Sequence, residues 1–185
     1  TDVLYYVQAA TGGGSEELPF DRGVLDSEVI RFERVGQRVL VNEVNLDYRS
    51  INGDAAHAAN TTASFPTSVL AVLPIEDEAD GHVVVDATAL FMRDAANVEG
   101  RLKQAKQGAY KFDAARSAFQ PARMKAFPEN TEIETQVTYV ADAPGALVRN
   151  VTPDPRYLTL QVRHSFLRAP TGYTPRAADP RIGVS

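Results

Sequence analysis

Two apolar runs held apart by an acidic turn, SVLAVLPIEDEADGHVVVDATALFMRD (Ser68–Asp94), constrain this chain more than any other stretch. Ser68–Ile75 is rich in Val and Leu, Glu76–Gly81 carries the charge, and Val83–Met92 is apolar again. Runs of strand length around an Asp-Gly turn spell a β-hairpin, because Asp and Gly tolerate the positive φ that a tight hairpin turn needs. Neither run alternates strictly, so both are expected as central strands covered on both faces. Asp86 and Thr88 interrupt the second run. A carboxylate among buried residues needs hydrogen bonds or a cation beside it.

The rest of the chain repeats the theme. Val3–Ala10 reads as a short strand before the Gly-rich loop Thr11–Glu17, and Phe20–Gly23 is a turn holding an Asp-Arg pair. Glu28–Arg34 and Arg38–Arg49 form a hairpin around Gly36-Gln37, with Val44, Leu46 and Tyr48 alternating against Asn45, Asp47 and Arg49. That alternation describes a strand with one buried and one wet face. Asp54 could cap a short helix over Ala55–Asn60, which carries His57 on its surface. Asp94–Gln107 is one amphipathic helix, with Val98 and Leu102 on one side and Gly108 as its stop. Tyr110–Phe112 and Ser117–Gln120 flank a turn at Asp113–Arg116, a third hairpin. Glu132–Val140 alternates, and Arg156–Leu167 is the last strand, with Leu158, Leu160, Val162, His164 and Phe166 in phase.

About nine strands joined by hairpin-length connections imply an antiparallel, mainly β fold with one short helix, as a sandwich or an open barrel. Residues 1–170 are expected to form a single β-rich domain, and residues 171–185 a Pro-rich arm or linker without periodicity. A length of 185 residues, 44% of them hydrophobic, suits one domain with a sizeable core. The net charge of -5, with both signs mixed along the chain, argues against nucleic-acid binding, which needs a basic face. No apolar run is long enough to span a membrane. Thr1 is not a natural start, so the chain reads as a piece of a longer one.

The absence of cysteine removes thiolate zinc sites and cysteine nucleophiles. His57, His82 and His164 are far apart, and none stands in an H-E-x-x-H pattern. No nucleophile elbow, phosphate loop or dinucleotide fingerprint occurs, and Gly12-Gly13-Gly14 lacks the helix and Lys of a phosphate loop. No catalytic residue and no metal ligand is therefore assigned. Four residues are candidates for binding: Asp86, Arg93, Asp94 and His164. His164 sits on an apolar face, as a core histidine bonded to a carbonyl or carboxylate or as a ligand. Asp86 is a buried structural carboxylate or a member of a polar site. Arg93 and Asp94 close the strand, and Asp94 is placed to cap the following helix. The acidic turn Glu76–Asp80 lacks calcium-loop spacing and reads as a solvated tip. Tyr5, Tyr6, Tyr110 and Phe112 form either an aromatic strip or, more in keeping with strand residues, core.

Several phrases recur in a recognisable order: FDRG (Phe20–Gly23), RFERVGQRVLV (Arg31–Val41), NLDYR (Asn45–Arg49), VVVDATALFMRDA (Val83–Ala95), KAFPENTE (Lys125–Glu132), VTPDPR (Val151–Arg156), RHSF (Arg163–Phe166), and GYTPR with DPRIG inside Gly172–Gly183. Together they resemble a domain of unknown function that precedes the catalytic domain of bacterial zinc-dependent metallopeptidases of the metzincin type. The resemblance runs from Phe20 to Gly183 and stops short of the zinc helix. It implies an accessory domain that scaffolds, shields or feeds the catalytic domain of the same polypeptide. It also implies a periplasmic or extracellular setting, a peptide as possible substrate, no cofactor in this chain, and zinc in the catalytic domain of the parent protein. An independent peptide- or glycan-binding β module is the alternative. An autonomous hydrolase built on Asp86, Asp94 and His164 is the weakest reading, because no nucleophile motif supports it.

Overall fold

The first strand of the chain lies in the middle of its sheet. In a computed structural model that describes residues 2–14, 18–46, 48, 59–60, 63–170 and 172, β1 (Asp2–Ala9) pairs with both the second strand and the last one. The others are β2 (Gly23–Val35), β3 (Arg38–Glu43), β4 (Ser68–Ala79), β5 (His82–Val85), β6 (Lys111–Phe119), β7 (Lys125–Phe127), β8 (Asn130–Val140) and β9 (Tyr157–Arg168). They make a nine-stranded sheet in the order β5-β4-β3-β2-β1-β9-β8-β6, with β7 paired to β8. Every pairing is antiparallel, and the sheet curls into an open half-barrel. The mainly β, hairpin-rich architecture read from the sequence is the one observed.

The inner face of the curl carries the core. Tyr5 and Val7 of β1, Ile30 of β2, Val39 and Val41 of β3, and Leu158, Leu160 and Val162 of β9 are buried there. The strands supply this face by period-two alternation. The space between the two wings is filled by the chain itself. After β5, residues 86–108 cross to β6 through two short helices, α1 (Thr88–Phe91) and α2 (Val98–Gln104). Leu90, Phe91, Ala95, Ala96, Val98 and Leu102 of this plug are buried. Arg101 anchors it to β2 by donating to the Leu25 carbonyl at 2.7 Å. A third helix, α3 (Ala146–Val151), sits between β8 and β9.

The hairpin of Ser68–Asp94 forms, but at the edge of the sheet instead of its centre. Its turn is tighter than expected. Glu76–Ala79 still belong to β4, and only Asp80 (φ 53) and Gly81 (φ 76) make the bend. Two successive positive φ values are what a type I′ hairpin turn requires. The second apolar run is a four-residue strand followed by a helical turn, because an apolar run reads alike in either state. β4 keeps an open face, with Val69 and Val72 exposed, and β5 is open on both faces, with the consecutive Val83 and Val84 exposed.

Three further expectations are corrected. The strand after Gly36-Gln37 ends at Glu43, so Val44–Leu46, expected to continue it, lie outside any strand, and Tyr48 stacks on Phe65 at 3.7 Å. Lys111–Phe119 is one strand with a wide bulge, not a hairpin: Asp113 pairs with Thr138 and Ala118 with Gln136. The Asp113 carboxylate stabilises the bulge by accepting from Ala115 N–H and Arg116. The helix expected over Asp94–Gln107 is shorter, Val98–Gln104, because Asn97 takes a left-handed conformation just before it. The expected helix over Ala55–Asn60 with His57, and the arm 171–185 apart from Gly172, lie outside the described residues.

Candidate functional site

Polar residues on the inner face gather where β1, β2 and β9 run side by side. Tyr5 faces Glu28 across the β1–β2 ladder, and Val7 faces His164 across β1–β9. His164 is 1% exposed. Its Nδ1 lies 2.7 Å from the Tyr5 hydroxyl, and its Nε2 lies 3.4 Å from Thr135 Oγ1. Burial, helped by the Arg93 guanidinium, pushes the imidazole down to about 3, so the ring is neutral in neutral solution. Burial likewise raises the Tyr5 phenol, which keeps its proton. A neutral ring has one donor and one acceptor. The consistent chain is therefore Tyr5 O–H donating to Nδ1, Nε2–H to Thr135 Oγ1, and the Thr135 hydroxyl to the Val162 carbonyl at 3.4 Å. Phe91 closes the cluster. Its ring stands edge-on to His164 at 5.1 Å and to Phe166 at 5.8 Å, and Phe166 stacks on Tyr5 at 4.8 Å.

Beside this sealed cluster the half-barrel opens. A cleft of about 270 Å³ is lined by Glu28 and Glu43 together with Ser27, Asn45, Thr67 and Ser68. Glu28 Oε2 is buried without a hydrogen bond, and so is Nη2 of Arg93. Burial, then the Glu43 and Asp26 carboxylates, push the Glu28 carboxyl up to about 7, while Arg93 pulls it the other way. Arg93 acts on Tyr5, Glu28 and His164 alike, and its Nε donates to the Leu90 carbonyl at 3.1 Å.

Of the four residues singled out in the sequence, the fold brings Arg93 and His164 together. Asp94 is their neighbour in sequence but turns away. Its carboxylate accepts from the Val98 and Glu99 amides at 2.7 and 3.0 Å, capping α2 as expected, and from the Tyr139 hydroxyl at 2.9 Å. Asp86 is exposed, not buried, and accepts from Thr88 N–H at 2.9 Å. The strand has already ended there, so the surrounding apolar residues do not enclose it. Glu78 of the acidic tip pairs with Arg34 at 2.8 Å in solvent. Glu28, Glu43 and Thr135 were not singled out, and Tyr5 was weighed only as part of an aromatic strip or as core. Two signals existed: Glu28 is in phase with Ile30, and Thr135 with Val137 and Tyr139.

Among the described residues, no group of three or more His, Cys, Asp or Glu side chains is placed to hold a metal ion. No helix among them is long and apolar enough to cross a membrane. A family model described as Domain of unknown function (DUF5117) matches residues 23–185. The chain belongs to this family. The DUF5117 match opens at Gly23, the first residue of β2, so it takes in Glu28, Glu43, Arg93 and His164 and leaves out β1 with Tyr5. No curated protein and no solved structure matches the chain.

Proposed function

We propose that this domain is a non-catalytic accessory unit of an exported zinc metallopeptidase. It scaffolds or shields a catalytic domain in the same polypeptide, or feeds substrate to it, in the periplasm or outside the cell. The zinc belongs to that catalytic domain. The observation that supports this reading most is how the half-barrel is filled. Its interior is occupied by residues 86–108 of the same chain, and both His164 nitrogens and the Asp94 carboxylate are engaged in holding the fold. Such groups are not poised to activate a water or a nucleophile. The ordered resemblance over Phe20–Gly183 supplies the link to metallopeptidases.

A second reading, a free-standing module for a peptide or glycan, is favoured by the edge strand β5, whose Val83 and Val84 are exposed. An extended peptide can add to such an edge. Zinc content and peptide hydrolysis of the whole gene product, set beside those of residues 1–185, test the choice. The accessory reading expects zinc and hydrolysis in the whole product and neither in the 185-residue chain. It fails if the whole product is free of zinc, or if the short chain binds zinc stoichiometrically and loses it with His164→Ala.

A further inference from the structure

A cleft of about 360 Å³ opens on the outer face of the sheet, where β3 ends. Its walls include Arg31 and Glu33 of β2, Asn42 and Glu43 of β3, and the aromatic pair Tyr48 and Phe65. Arg31 and Asn42 are cross-strand partners and stand next in sequence to the buried Ile30 and Val41, so their side chains point away from the core. The charges here do not balance. Arg31 donates through Nε and Nη2 to the Asp2 carboxylate at 2.8 and 2.7 Å. Glu33 Oε2 accepts from the Asn42 amide at 2.8 Å, and among the described residues no cation forms an ion pair with Glu33 or with Glu43. Two carboxylates without a counter-charge thus line one cleft, and a cleft lined by one sign of charge concentrates ions of the other.

The remaining surface is apolar. Tyr48 and Phe65 stack with their ring centroids 3.7 Å apart, and Tyr48 is still 52% exposed, which leaves ring surface for a ligand. Val69 pairs with Asn42 across β3–β4, and Leu40, the partner of Glu33, pairs with Val72. Cross-strand partners share a face, so the exposed Val69 and Val72 make an apolar shoulder beside the Glu33 carboxylate. One kind of side chain suits all three surfaces: an aliphatic stem for the shoulder, a positive charge for the carboxylate and a flat group for the ring. Arginine is built this way. Its planar guanidinium stacks on aromatic rings and carries donors only, and a carboxylate only accepts.

We propose that this cleft binds an arginine side chain of a protein partner, with the guanidinium between Glu33 and the Tyr48 ring. The site lies apart from the β5 edge, which runs along Ile75–Ala79, and does not depend on whether the domain serves a peptidase.

Nitrogen-15 spectra of the 185-residue protein, titrated with acetyl-Gly-Arg-Gly-amide, test the assignment. Saturable shifts are expected at Glu33, Asn42 and Tyr48. The same peptide with citrulline, a neutral shape-match of arginine, should bind about tenfold more weakly, because it lacks the charge that strengthens the bond to a carboxylate. This comparison leaves the protein untouched, so it is free of any folding defect in a variant. Glu33→Gln should weaken the arginine peptide by about tenfold and Tyr48→Ala by about threefold. The lysine peptide should bind more weakly than the arginine one, since an ammonium does not stack. No saturable shift, equal affinity for the citrulline peptide, or unchanged affinity in E33Q overturns the proposal, and a lysine peptide that binds as tightly overturns the assignment to arginine.

Discussion

The two wings of the sheet end up in opposite conditions. On the β9–β8 side both faces are covered. Inside, Thr135, His164 and Phe91 interlock. Outside, Glu134 is 2% exposed, paired with Arg163 at 2.5 Å and tied by its backbone carbonyl to Gln120 N–H beside the Pro121–Arg123 turn. On the β4–β5 side β4 buries Ala71 and Leu73 on the inner face, but β5 has no buried residue, and Val69 is 51% and Val84 58% exposed. The more apolar strands are on the β4–β5 side, so apolar content does not decide which wing is covered. What separates them is which other segment folds over them, and that is a property of topology.

Phe91→Ala probes the covered wing most severely. It removes the ring that contacts Phe119, His164 and Phe166, and a loss of about 3–5 kcal/mol in unfolding free energy is expected from urea denaturation. A loss below about 1 kcal/mol, the range of surface changes, would show that the plug is not what sets the wings apart.

His164→Leu comes next. It leaves the Tyr5 hydroxyl buried without its acceptor, worth about 1–3 kcal/mol. It also changes the pH profile. The native imidazole titrates at about 3 against 6.5 for a free one, so the unfolded chain binds the extra proton between those values. The stability due to His164 is whole above pH 6.5 and is lost as pH falls towards 3. The variant should show a smaller decline over that window, followed by circular dichroism. Glu28 has the opposite sign. Its folded value of about 7 exceeds the ordinary 4.5, so its contribution is whole below pH 4.5 and is lost as pH rises through 7.

Val84→Thr, on the open wing, is the smallest change. It should move stability by no more than about 0.5 kcal/mol, because the side chain already meets water. A larger loss in the same denaturation assay would mean that something covers β5 after all.

The legible features were those fixed by local periodicity. The phase of Leu158, Leu160 and Val162 put His164 on the inner face, and Asp94 stood where a helix cap belongs. The hairpin at Gly36-Gln37 was readable because Gly36 supplies a positive φ between two alternating runs. Features fixed by pairing between distant strands were not readable. The meeting of Tyr5 with Glu28, and of both with Arg93, depends on β1 lying beside β2 while the plug crosses over them. Likewise, nothing local reveals that Ser68–Val85 ends the sheet, since edge and centre differ only in the neighbour that is absent. Asp113–Ala118 misled for a third reason: a bulge and a turn use the same short polar residues.

The position of β1 has a consequence for how the chain is made. Asp2–Ala9 finds one neighbour quickly in Gly23–Val35, but its other neighbour, Tyr157–Arg168, is made only after all the strands between them. Until then the Tyr5 hydroxyl has no imidazole to meet, and one flank of the strand is an unpaired ladder. Contacts of such sequence separation slow folding and lengthen the time during which a sticky edge is on view. Until Tyr157–Arg168 arrives, the growing polypeptide carries an open edge on which another strand can pair.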